Sequence, residues 1–227
     1  MPQPLKPRIL VTGFAPFGGE TVNPSSQIAH ALNGQHIADH LVVAGILPTV
    51  FDDSLQALGV QLRKHRPMLV VCVGQAGGRQ AMSFERVAIN INDARIPDNA
   101  QQQPVDTPVV KGGPVGYFSS LPIKAMTQAA MAAGATAEVS QSAGTFVCNH
   151  VFYGLMHRLS SQRALQEVRG GFVHVPYLPE QAANIASKGA PRPPSMALDL
   201  MVSGLKAALD AAVTHKLDIT DGAGSLH

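Results

Sequence analysis

Two side chains of this 227-residue chain are thiols, and their surroundings differ. Cys72 lies in Leu69-Val70-Val71-Cys72-Val73, an apolar run that reads as a buried strand, where a thiol behaves as a small hydrophobe. Cys148 lies in Gly144-Thr145-Phe146-Val147-Cys148-Asn149-His150, where a small polar lead-in meets an apolar run of helical period over 151–159. That pattern puts Cys148 at or near a helix N-terminus. Free N–H groups and the positive end of the helix dipole favour an anion there, which predicts a thiol pKa lowered towards the reactive range. A buried structural thiol competes with a nucleophile at this residue. The helix start, the glycine-threonine lead-in and the flanking aromatics tip the reading to the nucleophile.

A cysteine nucleophile needs a base and a group to orient that base. His150 is two residues on, and positions two apart on a helix do not face each other, so it is a poor base. His174, in Phe172-Val173-His174-Val175-Pro176, is a lone polar residue near the end of an apolar strand. From that strand alone it reads equally as a satisfied core histidine and as the base. Among acids, Glu85 enters an apolar strand directly before Arg86, either in a local ion pair or poised in a site. Asp93 and Arg95 are further candidates on a following loop. Arg95 suits a peptide carbonyl or an oxyanion, and both suit plain loop structure.

Other chemistries fit poorly. Two glycine loops, residues 13–19 and 74–79, each follow a strand, but neither has the spacing that cradles phosphates: Gly19 stands where a P-loop needs lysine. Their side chains, Phe14, Phe17 and Gln75, suggest instead a small apolar pocket with one amide to orient a ligand. The nine histidines contain no HExxH, and the pairs His36/His40 and His150/His157 read as surface or core residues, so no metal is expected. Net charge is +2 with no basic stripe, which disfavours nucleic acid. No apolar run reaches the ~20 residues of a membrane span. The N-terminus is proline-rich and leads into a strand, so no export signal is expected, and two cysteines are too few for a disulfide framework.

The elements that must position these groups alternate. Strands are expected over 8–12, 41–47, 68–73, 84–91, 137–141 and 171–175. Helices are expected over 24–32 after an Asn23 cap, over about 51–65 after a Thr49-to-Asp52 capping box, over 121–133, from Cys148, and from Pro193-Pro194-Ser195 to about 215. Residues 92–118 have no clear period, as in an interaction arm or a lid. This order predicts one α/β domain over 1–227, an α/β sandwich on a largely parallel sheet, with its core at about 8–215 and a frayed tail over 216–227. If the sheet is parallel there, four strand ends, carrying both glycine loops, Cys148 and His174, converge on one edge.

The sequence closely resembles the pyroglutamyl peptidase type I family of cysteine peptidases, also called pyrrolidone-carboxylate peptidases. The resemblance is carried by Thr12-Gly13-Phe14-Ala15-Pro16-Phe17-Gly18-Gly19, Gly74-Gln75-Ala76-Gly77-Gly78-Arg79, the run from Glu85 to Asn99, the run from Ser142 to His150, and Gly170-Gly171-Phe172-Val173-His174-Val175-Pro176. It implies Cys148 as nucleophile, His174 as base and Glu85 as the group orienting it. It implies an α/β/α sandwich around a mixed sheet, removal of N-terminal pyroglutamate from peptides, no metal or organic cofactor, a cytosolic location and a homotetramer. It also implies Phe14, Phe17, Phe146 and Val147 as walls of the lactam site, with Asn23 and Gln75 as polar groups near the ring. Another cysteine amidase, or a module that binds blocked N-termini without cleaving them, remains open.

Overall fold

The computed structural model describes residues 6–224. In chain order the elements are β1 (Arg8–Phe14), α1 (Pro24–Leu32), β2 (His36–Ile37), β3 (His40–Leu47), α2 (Phe51–His65), β4 (Leu69–Gln75), β5 (Met82–Glu85), β6 (Val87–Ile89), β7 (Gly116–Phe118), α3 (Ile123–Ala132), β8 (Ala137–Ser140), α4 (Val147–Ser161), β9 (Arg169–Val175), α5 (Pro179–Ser187) and α6 (Leu198–Thr214). β4 is buried at every position, as a near-continuous apolar run must be when both sheet faces are covered. It lies between β1 and β9 in a seven-stranded sheet of order β2-β3-β1-β4-β9-β5-β8.

The sheet is mixed and mostly parallel. β3, β1, β4 and β9 run together, while β5 is antiparallel to β9 and parallel to β8. The convergence of four strand ends therefore holds only for β1, β4 and β9. Glu85 arrives from a reversed strand, and Cys148 is delivered by the loop after β8. α1, α3 and α6 bury Ile28, Met126 and Leu205 on one face, and α2 and α4 bury Phe51, Leu58, Val151 and Leu155 on the other. This is an α/β/α sandwich.

Several local expectations change. Residues 84–91 are not one strand: the chain breaks at Arg86, and β6 leaves the main sheet to pair with β7. The strand β7 thus closes the segment expected to lack structure. Arg86 turns to Gln141 Oε1, 2.9 Å away, rather than to Glu85. Helix α2 has no Thr49 cap, because the Thr49 hydroxyl donates to the Ala15 carbonyl at 2.8 Å. Its first N–H, of Phe51, is instead accepted by buried Asp98 at 3.0 Å, an anion at the positive helix end. Helix α6 begins at Leu198, after the proline pair. β2 and α5 were not expected. In the C-terminal segment expected to fray, Asp218 accepts the Lys124 and Ala125 N–H groups at the start of α3. Residues 225–227 of that segment, and the first five residues of the N-terminus, lie outside the described residues.

Candidate active site

Cys148 is the second residue of α4, so the expected helix start is present. No side chain caps this end, and the first main-chain bond of the helix runs from His150 N to Phe146 O. The N–H groups of Val147, Cys148 and Asn149 therefore have no acceptor within the helix. The turn is clamped from the side. Asn149 accepts the Ile89 N–H at 3.0 Å and donates to the Ile89 and Ile91 carbonyls. Thr145 Oγ1 donates to Asp93 O at 2.7 Å, and Asp93 N donates to Thr145 O. Strand β6 and the loop after it thus hold the helix of Cys148 in place.

His174 is the register partner of Gly74 on the adjacent parallel strand. Paired residues of neighbouring strands share a face, so the imidazole stands beside Gly74 on the α4 side. A Cβ on Gly74 would come within 2.8 Å of Cys148 Sγ and of the Phe172 ring. Only glycine leaves room for the sulfur against the sheet, one strand spacing from His174. His174 Nδ1 donates to Glu85 Oε1 at 2.7 Å, which leaves Nε2 as the acceptor nitrogen. Both residues are buried, His174 at 3% exposure and Glu85 at 0%. Glu85 Oε1 also accepts Arg79 Nη1 at 2.7 Å.

Burial pushes the Cys148 thiol up to about 12; the Glu85 carboxylate adds to the rise and Arg79 opposes it. The residue keeps partial exposure, but its sulfur is packed on Gly74 and Phe172. Desolvation and the nearby anion thus act against the lowered thiol pKa expected from the helix start. Burial also lowers His174 below the usual imidazole value against the opposing pull of Glu85. The resting pair is a neutral thiol beside a neutral imidazole, which is a base waiting to accept a proton.

His150 is excluded as base more firmly than spacing alone allowed. It is buried, its Nδ1 pairs with Asn92 Oδ1 at 3.0 Å, and its ring meets Phe51 edge-on. Cys72 lies in the core, where burial pushes its thiol up to about 12. Of the apolar candidates, Phe17 and Phe146 lie together with ring centroids 6.2 Å apart, and Phe146 packs edge-on against Phe51 at 5.4 Å. Val147 is buried, and Phe14 is buried against Phe172 at 6.3 Å. Asn23 caps α1 by accepting Ser25 N and donates to the Ala15 carbonyl, which steadies the loop carrying Phe17. Gln75 is at the end of β4 but on the face opposite Gly74, where its Oε1 accepts Gln181 Nε2 at 3.1 Å. Arg95 is exposed and has no hydrogen bond to Cys148, His174 or Glu85 among the described residues.

Sequence reasoning gave no role to Arg79, Phe51, Asn149 or Gln181. Arg79 carried a signal: a cation closing a glycine loop, six residues before an acid entering a strand. The other three depend on tertiary contacts alone. Among the described residues no group of three or more His, Cys, Asp or Glu could hold a metal ion, and no helix is long and apolar enough to cross a membrane. A hollow of about 650 Å³ between Leu62, Arg158 and Val168 lies away from the thiol and is lined by no cysteine.

A thiol, a tautomer-fixed imidazole and a buried carboxylate at the edge of an α/β sheet are the parts of a cysteine hydrolase. The sequence profile described as pyroglutamyl peptidase matches residues 7–215. The chain is 53% identical over 221 residues to the pyrrolidone-carboxylate peptidase of Cupriavidus taiwanensis, covering 97% of this chain and 100% of that one. The crystal structure of pyroglutamyl peptidase I from Bacillus amyloliquefaciens superposes with a TM-score of 0.90 at 46% identity, covering 96% of this chain and 100% of that one. A variant pyrrolidone carboxyl peptidase from Pyrococcus furiosus gives 0.87 at 40% identity, over 91% and 98%. This chain belongs to the pyroglutamyl peptidase family.

Proposed function

We infer that the protein is a hydrolase that removes the N-terminal pyroglutamyl residue from peptides, with Cys148, His174 and Glu85 as its catalytic groups. The observation that carries the catalytic assignment is the 2.7 Å contact of His174 Nδ1 with Glu85, beside a thiol seated on the register partner of His174. Cys148 Sγ bonds to the carbonyl carbon between pyroglutamate and the next residue, and its proton passes to His174 Nε2. The negative oxygen that forms is held by the open N–H groups at the start of α4. Collapse breaks the C–N bond, His174 protonates the departing amine, and a thioester remains. Water, giving a proton to the same nitrogen, releases pyroglutamate and restores the thiol. Glu85 stabilises the imidazolium while it exists.

The side chains assigned to the substrate site suit a flat lactam. Phe17 and Phe146, with Phe14 and Val147, supply apolar walls; Asn23 and Gln75 remain the polar candidates for the ring amide, although Asn23 is engaged by Ser25 and Ala15, and Gln75 by Gln181 on the opposite face of the sheet. Exposed Arg95, whose loop is tied to Thr145, binds a carbonyl of the peptide rather than the oxyanion. Pyroglutamate has no free α-amine, so the reaction needs no carboxylate to bind an ammonium. A site that hydrogen-bonds the ring carbonyl rejects proline, because its buried partners would be left unpaired. None of these steps needs a metal or an organic cofactor.

Residues 8–215 form the catalytic domain in this reading, and the enzyme works in the cytosol as a homo-oligomer, a tetramer by family resemblance. Exposed Ile96, Val105, Val115 and Phe118 support the segment 92–118 as the contact arm. Sedimentation of wild type and Phe118→Ser tests this: an unchanged mass in both would remove the arm. The central test is turnover of pyroglutamyl- and prolyl-coupled fluorogenic amides, with and without iodoacetamide. Pyroglutamyl-selective cleavage that alkylation abolishes is expected. Equal rates would indicate a general cysteine amidase, and binding without cleavage a recognition module.

A further inference from the structure

Arg79 has no part in the bond-making steps above, yet its guanidinium joins four segments of the chain around the reacting groups. It leaves the loop after β4, the strand whose Gly74 supports the thiol. Nη1 donates to Glu85 Oε1 at 2.7 Å, at the end of the reversed strand β5, and to Ser140 Oγ at 3.3 Å, at the end of β8. Nη2 donates to the Ser142 carbonyl at 2.8 Å, on the loop that leads to Cys148. Arg79–Glu85 is the only ion pair of an arginine or lysine with a carboxylate among the described residues.

The carboxylate needs this cation. Glu85 is fully buried, and its Oε2 has no hydrogen-bond partner among the described residues. Both of its contacts fall on Oε1, and one of them is to a histidine that burial holds neutral. An ionised carboxylate with only a neutral imidazole for company is costly to bury, and such a group takes up a proton instead. A protonated Glu85 would donate to His174 Nδ1. The ring's own proton would then sit on Nε2, facing the thiol, and no lone pair would remain there to accept the cysteine proton.

We propose that Arg79 is a positioning residue that holds Glu85 ionised, and through it keeps His174 in the Nδ1–H tautomer that acts as base towards Cys148. The inference rests on the catalytic roles assigned to Cys148, His174 and Glu85. Its consequence concerns the shape of the pH profile as well as the rate. Without Arg79 the enzyme regains a working base only when pH rises far enough to ionise Glu85.

The test compares kcat/KM against pH for wild type, Arg79→Met and Arg79→Lys on a pyroglutamyl amide. Arg79→Met is expected to lose roughly 10²-fold at neutral pH, within the range for a general base. Its acid limb should move to higher pH, with part of the loss recovered in alkali. Arg79→Lys keeps the charge and loses the fork, so its limb should stay near that of wild type while kcat falls. Ethylguanidinium added to Arg79→Met should restore neutral-pH activity. A uniform loss at every pH, with an unmoved limb and no rescue, would reduce Arg79 to a loop tether and overturn the proposal. If both variants fail to fold, the ¹⁵N shifts of wild-type His174 decide: a proton on Nε2 at rest overturns it. Failure of the underlying roles is separately visible, since His174→Ala would then leave alkylation of Cys148 unslowed.

Discussion

Cys72 and Cys148 make an internal control. Both thiols lie on the α4 side of the sheet: Cys72 is two residues before Gly74 on β4, and the Cys148 sulfur rests on Gly74 itself. Burial pushes both up to about 12. Resting acidity therefore cannot separate them. What differs is company and access. Cys72 is fully buried beside Thr12, whereas Cys148 keeps partial exposure, has His174 one strand away and sits among unbonded N–H groups. In the proposed mechanism reactivity comes from a base and an oxyanion site that act during the reaction.

The largest expected effect breaks the pair apart. Cys148→Ser should cut turnover at least about a thousandfold while pyroglutamyl peptide still binds. Cys72→Ala should retain turnover and lose about 1 to 2 kcal/mol of stability from the cavity, read by urea melts. Full activity in Cys148→Ser would end the assignment. His174→Ala comes next, at roughly 10²- to 10⁴-fold in kcat. Iodoacetamide should then label Cys148 more slowly and Cys72 no differently; equal slowing of both would mean general loosening.

A smaller effect sharpens the contrast by ruling on His150. Burial lowers its pKa to about 4 from the ordinary 6.5. Below pH 6.5 the unfolded chain takes up a proton that the folded chain refuses. Stability from this group is full above 6.5 and falls as pH drops to about 4, by at most about 3 kcal/mol. His150→Gln should flatten that part of the stability curve and leave the pH profile of kcat/KM unmoved. A shifted activity profile would return His150 to the list of bases. The smallest effect is at Arg95: Arg95→Ala should raise KM severalfold for peptides and leave kcat for a short amide unchanged. An equal fall in kcat would place Arg95 at the oxyanion after all.

The physical reason for each reading determined how well it survived. Strands β1, β4 and β9 were legible because a run such as Leu69 to Val73 has no polar face to show and must be covered on both sides. The Asn23-Pro24 start of α1 was legible because a cap and its proline act within one turn. The capping box at Thr49 had the right spacing, but Ala15 offered the hydroxyl a better acceptor from 34 residues away. Likewise the alternation over 84–91 is real, yet the break at Arg86 follows from where Gln141 and β7 lie. Local patterns cannot carry such competitions.

By itself the sequence determined a reactive-cysteine context at a helix start, two glycine loops free of phosphate spacing, and motifs dense enough to identify the family, because these depend on residue type and short-range spacing. Only the tertiary structure decided that β5 runs against its neighbour, that Arg79 and His174 meet on one oxygen of Glu85, and that burial raises the Cys148 thiol. Those outcomes depend on burial and on charges brought together across the sheet, which no stretch of chain contains alone.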